Sequence, residues 1–112
     1  MNMIHVLRGS ATDQQVQEML EIHESYIKLA VDIRRGIAVG GGEFHADCES
    51  VLVEAGSQRK DIWGADWIPS ERAVRCAAMI NIRPRVNPNM EIQDPAIRRQ
   101  VEEIVKKLLG RS

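Results

Sequence analysis

Aromatic side chains are scarce in this sequence: one Tyr, one Phe and two Trp among 112 residues. So few rings offer no platform on which successive unpaired bases could stack. Charge of one sign is lacking too. Fifteen basic residues face sixteen acidic ones, for a formal net charge of -1. That balance leaves no general field drawing the chain to nucleic acid or to an anionic lipid surface. The basic residues form no stripe and match no nucleic-acid motif, so no such partner is expected. Cysteine is confined to Cys48 and Cys76, too few for a disulfide framework. No apolar run approaches the ~18 residues of a membrane span. Met1 to Arg8 is short and apolar but has neither a basic segment nor a small-residue cleavage site. These absences point to the cytoplasm, with both thiols reduced and no membrane partner.

What is present suffices for a core. Hydrophobic residues make up 44% and charged residues 28%, a globular balance, and the length fits one domain over residues 1-112. Met3 to Arg8 reads as a short strand closed by Gly9 and Ser10. Thr12 is an N-cap, with Gln15 completing a capping box. Val16, Met19, Leu20, His23 and Ile27 follow at helical spacing, which carries a first helix from Asp13 to about Ser25. Tyr26 to Arg34 alternates: Ile27, Leu29, Val31 and Ile33 share one face, while Lys28, Ala30, Asp32 and Arg34 share the other, as in a half-buried strand.

Arg35 and Gly36 mark a turn before the short apolar piece Ile37 to Val39. Glu43 to Glu54 reads as one long strand, or as a loop leading into a strand, ended by Gly56 and Ser57. Asp61 to Trp67 is interrupted by Gly64 and closed by Pro69 and Ser70. Ala73 to Arg83 alternates again, with Val74, Cys76, Ala78, Ile80 and Ile82 on one face, and Pro84 stops it. In the C-terminal helix Asp94 is the N-cap and Pro95 the first helical residue. Ile97, Val101, Ile104, Val105 and Leu108 form its apolar stripe. Lys106 and Lys107 suit the negative end of the dipole, and Gly110 is the C-cap. The expected fold is α+β: a mainly antiparallel sheet of about four strands, packed by an N-terminal and a C-terminal helix.

Three windows hold chemistry. In an extended Glu43–Glu49 segment, Glu43, His45, Asp47 and Glu49 share a face, placing carboxylates around an imidazole. That set suits general acid–base work or a divalent metal. The catalytic candidates are therefore Glu43, His45 and Asp47, and the metal candidates His45, Asp47 and Cys48, with His23 or His5 as further ligands. Gly40 to Gly42 would let a backbone approach a ligand closely, but no Gly-Lys-Ser/Thr ending follows. A solvated strand face is the plain alternative. Cys48 with His45 as its base fits a nucleophile by residue type, yet a strand would point the two apart. Cys76 reads as a small core residue, and His23, on the apolar side of the first helix, as a packed histidine.

The second window is the polar face of the two alternating strands. Asp32 could pair there with Arg75 or Arg83, and Arg34, Arg83 and Arg85 could form an anion pocket. A cross-strand salt-bridge lattice is the plain alternative. The third window holds Trp63 and Trp67, flanked by Asp61 and Asp66. It would anchor a partner or ligand, or else pin a loop over the core.

Several strings look familiar as well. KLAVDIRRG at Lys28–Gly36, GGGEFHADCE at Gly40–Glu49, DIWGADW at Asp61–Trp67, INIRPR at Ile80–Arg85 and MEIQDP at Met90–Pro95 run through nearly the whole chain. In them it resembles a family of short, uncharacterised bacterial proteins, a domain-of-unknown-function family. The resemblance implies a bacterial cytoplasmic protein and carries over no activity, cofactor or catalytic residue. The residues themselves favour a binding or interaction module without catalysis, self-associating as a homo-oligomer. The alternatives are a small hydrolase or metal-dependent enzyme built on Glu43, His45 and Asp47, and an antitoxin-like regulatory partner of another small protein.

Overall fold

The structure, a computed structural model, describes residues 3–110. Its elements run β1 (His5–Leu7), α1 (Asp13–Met19), β2 (Ile27–Asp32), β3 (Ile37–Gly40), α2 (His45–Glu54), β4 (Ile62–Ile68), β5 (Ala73–Arg75) and α3 (Pro95–Leu109). Short 3-10 turns occupy Arg59–Asp61 and Met79–Asn81. The strands form one antiparallel sheet in the order β1-β3-β2-β4-β5. The α+β class holds, with five strands and three helices in place of about four and two.

The two faces of the sheet bury different residues. On one, Ile27, Leu29, Val31, Trp63, Ala65 and Trp67 meet Met19 of α1 and Val101, Val105 and Leu108 of α3. On the other, Ala30, Val39 and Ile62 meet Cys48 and Leu52 of α2. β2 is therefore covered on both sides, not half-buried: Ala30 and Asp32, expected on the open face, have no exposed surface. Leu52 is wholly enclosed. Burying such a side chain contributes about 1.5–3 kcal/mol, which fixes α2 to the sheet.

Both caps read from the sequence are in place. Thr12 and Gln15 exchange the two bonds of a capping box, and Asp94 caps α3 ahead of Pro95. The first helix stops at Met19, short of Ser25. Ile27, counted in its stripe, belongs to the β2 interior, and Glu24 reverses the chain with φ of 62°.

Two strand expectations are overturned. Residues 45–54 form a helix. Its buried side chains Cys48 and Leu52 sit four apart, with half-buried Val51 between them, a helical spacing. The alternation of Glu43, His45, Asp47 and Glu49 is incidental to it. Residues 73–83 form a strand only at Ala73–Arg75. Beyond it the chain crosses over β4 at Gly64, where a side chain would lie 2.5 Å from the Ala78 Cβ. Gly64 thus permits a crossing and does not interrupt β4. From there the outer edge of β4 is closed by side chains. Asn81 accepts from the Gly64 N–H at 2.7 Å and donates to the Gly64 carbonyl at 3.1 Å, copying a strand. The Arg83 guanidinium donates to the carbonyls of Ile62 and Lys60 and stacks on Trp63, 3.9 Å from the ring centre. Asn87 holds this arm with bonds to the carbonyls of Asn81, Asn89 and Glu91.

Candidate functional site

The sheet register places three charged residues in a row. Lys28 of β2 lies opposite Asp66 of β4, and Asp66 lies opposite Arg75 of β5. They share the α2 face, since Lys28 is two residues from Ala30. The first residue of α2, His45, comes down on this row. Its Nε2 lies 2.8 Å from Asp66 Oδ1 and 3.2 Å from the Ala65 carbonyl. Two acceptors on one ring nitrogen require that Nε2 carry the hydrogen, so Nδ1 is the acceptor of the neutral ring.

The other Asp66 oxygen, Oδ2, accepts from Arg75 Nε at 2.8 Å and stands 2.7 Å from Arg75 Nη2. The Asp66 side chain is 4% exposed and that of Arg75 52% exposed, so a buried carboxylate links the imidazole to a guanidinium at the surface. Arg75 lies over the Tyr26 ring at 5.3 Å, and Tyr26 stacks on His23 with centres 4.8 Å apart. His23 in turn donates from Nε2 to the Glu43 carbonyl at 3.0 Å. His23 is thus a half-exposed latch and not a core histidine. The entry to α2 is tied down by His23 before it and by His45 within it.

Why α2 begins here is local. Gly41 turns the chain with φ of 99°, and a side chain on it would strike the Met3 carbonyl at 2.2 Å. The glycine run is therefore a turn pressed against backbone. Asp47 then accepts from the Phe44 N–H at 3.2 Å, half of a capping arrangement. His45 and Ala46 fall in the first turn, where N–H groups precede any helical acceptor and the dipole is positive.

Lys28, Phe44, His45, Ala46, Met79 and Ile80 line a cleft of about 360 Å³. The Lys28 ammonium lies 5.5 Å from the Phe44 ring centre, within reach of a cation–π contact. Phe44 is 57% exposed and Met79 74%, and they form an apolar rim. A second hollow of about 440 Å³ lies beside β5 and α3. Its charged groups, Glu71, Arg75, Glu91, Arg98 and Glu102, have mixed signs, and it does not include His45.

The sequence candidates are dispersed by this geometry, except for two. Glu43 and Asp47 do not surround the His45 ring. Glu43 offers its carbonyl to His23, and Asp47 caps the helix. Among the described residues, no three His, Cys, Asp or Glu side chains are grouped to hold a metal ion. His5 pairs with Glu18 at 2.7 Å. In a helix Cys48 shares a face with His45, one turn away, but its Sγ faces the Lys28 carbonyl at 3.5 Å. Burial pushes the Cys48 thiol up to about 11. It is a packed, protonated thiol, as is Cys76, also raised by burial to about 11.

Asp32 pairs with neither Arg75 nor Arg83. It accepts from the N–H groups of Arg34 and Arg35 and from Ser57 Oγ at 2.6 Å, which locks the β2–β3 turn to the end of α2. Arg34 bonds Asp61, Arg83 bonds carbonyls, and Arg85 stands exposed in the turn after Arg83 with φ of 69°. Arg34 and Arg83 both lie beside Asp61, and their bonds here go to acceptors of the protein itself. Burial lowers the Arg83 pKa, opposed by Glu49 and Asp61. Trp63 and Trp67 are each 3% exposed, in the core. The structure brings together His45 and Asp66 from two separate windows. It adds Lys28 and Arg75 from the polar strand face, and Tyr26, Phe44, Met79 and Ile80, which carry no chemical signal in the sequence.

A family model described as "Protein of unknown function (DUF5674)" matches residues 5–108. No curated protein and no solved structure matches the chain.

Proposed function

We propose that this chain, which belongs to the DUF5674 family, is a small binding module whose ligand occupies the cleft beside His45, and that it binds without catalysing a reaction. One observation carries this reading: an imidazole held by a buried carboxylate forms one wall of an otherwise largely apolar concavity. Small-molecule sites have that make-up, with a few fixed polar groups among apolar walls and volumes of roughly 300–1,000 Å³. A pre-oriented ring also avoids ordering costs on binding. Self-association draws less support from the sheet, because each edge strand has only three residues, and short edges are already blunted.

The same bond supports a second reading, a small hydrolase in which Asp66 orients His45 as a general base. Against it, the cleft lining includes no hydroxyl or thiol, and Cys48 is turned to backbone.

Amide NMR with a fragment mixture tests the proposal. Ligands should shift Phe44, His45, Ala46 and Ile80 together, and His45→Gln should abolish the shifts while the protein stays folded. Ligands that act elsewhere, or that ignore His45→Gln, would refute it. Ester hydrolysis lost in both His45→Gln and Asp66→Asn would replace it with the hydrolase reading.

A further inference from the structure

We infer that the ligand is a small organic monoacid, with its carboxylate at Lys28 and its apolar body against Phe44, Met79 and Ile80. This rests on the cleft being the ligand site and adds the ligand's chemical class. Charge counting leads to it. Asp66 and Arg75, the carboxylate and guanidinium beside the cleft, are bonded to each other, so their charges cancel locally. Lys28 takes part in none of the ion pairs among the described residues. Its ammonium lies over an aromatic face that is itself largely exposed. No carboxylate is among the lining residues.

The cleft therefore presents one uncompensated positive charge. It also presents one imidazole whose Nε2–H is committed to Asp66 and Ala65. A single ammonium balances a single negative charge. A cation would meet Lys28 with nothing to offset the repulsion. A phosphate dianion would find half the charge it needs, since phosphate sites gather several donors or a guanidinium fork. The remaining wall, Phe44, Ala46, Met79 and Ile80, rewards apolar area. Met79 suits a body of variable shape, because an unbranched thioether adapts to what it meets. The volume confines that body to a short chain or a single ring.

The test uses three probes with one body and three heads: 4-phenylbutyrate, 4-phenylbutanol and 4-phenylbutylamine. Each is titrated by amide NMR into the full chain, into Lys28→Met and into Lys28→Arg. The acid should bind wild type about fivefold tighter than the alcohol, the scale of a partly exposed ion pair, and tighter still than the amine. Lys28→Met should erase the preference, and Lys28→Arg should retain it, which separates lost charge from lost fold. If alcohol or amine shifts the cleft residues at the same concentration as the acid, the ligand class is wrong and the cleft stands. If the preference persists in Lys28→Met, the head group is not on Lys28. If none of the three probes shifts Phe44, His45, Ala46 or Ile80, the cleft itself is refuted as a site for such molecules.

Discussion

Replacing Asn81 by Ala tests the part of the fold that departs furthest from the sequence pattern. Asn81 is wholly buried and makes three side-chain bonds, from the Gly64 N–H at 2.7 Å and to the carbonyls of Gly64 and Met90, each at 3.1 Å. Alanine removes all three and supplies nothing. The Gly64 N–H is left buried on the outer edge of β4, at a cost of about 1–3 kcal/mol, and the two carbonyl bonds add about 1 kcal/mol each. The sum, roughly 3–5 kcal/mol, is a large share of the ~5–15 kcal/mol that holds a domain together. It corresponds to a fall in Tm of about 15 °C or more. Asn81→Asp should be no better, because it keeps the acceptor for Gly64 but turns a carboxylate oxygen toward two carbonyls. Urea unfolding followed by tryptophan fluorescence suits the measurement, since Trp63 flanks Gly64 and Trp67 lies farther along the same strand. A loss below about 1 kcal/mol in Asn81→Ala would mean that this edge is closed by something else, such as a backbone ladder from the 73–83 segment.

Two further outcomes follow. Cys48 and Cys76 both have folded pKa values raised from 9.0 to about 11. The fold favours the neutral thiols, so their contribution is fully present below pH 9 and is lost as pH rises toward 11. The urea midpoint should drop between pH 8 and pH 10.5, with a smaller drop in Cys48→Ala; iodoacetamide labelling of the native thiols at pH 8, at the rate of a free thiol, would contradict this. Gly64→Ala should cost about 1–3 kcal/mol by overpacking against Ala78, and the double variant with Ala78→Gly should recover part of that loss. Strict additivity in this cycle would show that the two residues do not meet.

Where local chemistry decides the structure, the sequence could be read directly. The Thr12–Gln15 capping box, the Asp94–Pro95 start of α3 and the strand at Ile27 to Asp32 depend only on neighbours in the chain, and all are present, although β2 is buried on both faces. Alternation misled where side chains replaced backbone bonds. Val74, Cys76, Ala78, Ile80 and Ile82 look like one face of a strand, but an Asn side chain can exchange the same two bonds with a backbone as a strand residue does. Nothing in the pattern shows that Asn81 does so, because its partner Gly64 is brought there by the crossing at Ala78. The glycine itself carried a clue. Within Ile62–Ile68 both tryptophans fall on one face, with Ile62, Gly64 and Asp66 on the other, a period-two pattern that argues for a strand needing a gap at Gly64.

The site was half legible for a related reason. Residue type marked His45 and Asp66 separately, but only topology joins them. β2 pairs with both β3 and β4, so α2, which follows β3, packs across β2 and its first turn reaches Asp66. Had residues 43–49 been a strand, His45 and Cys48 would face opposite ways, and Cys48 could not anchor the segment that carries His45. In the helix they share a face one turn apart. Cys48 sinks into the core against the Lys28 carbonyl, while His45, nearer the end, meets the carboxylate two strands in from the β3 side. The buried thiol, inert as a nucleophile, is part of what places the imidazole. Packing at Cys48 and orientation at His45 are thus consequences of the same helical register, and the cleft exists because that register leaves Phe44 outside it.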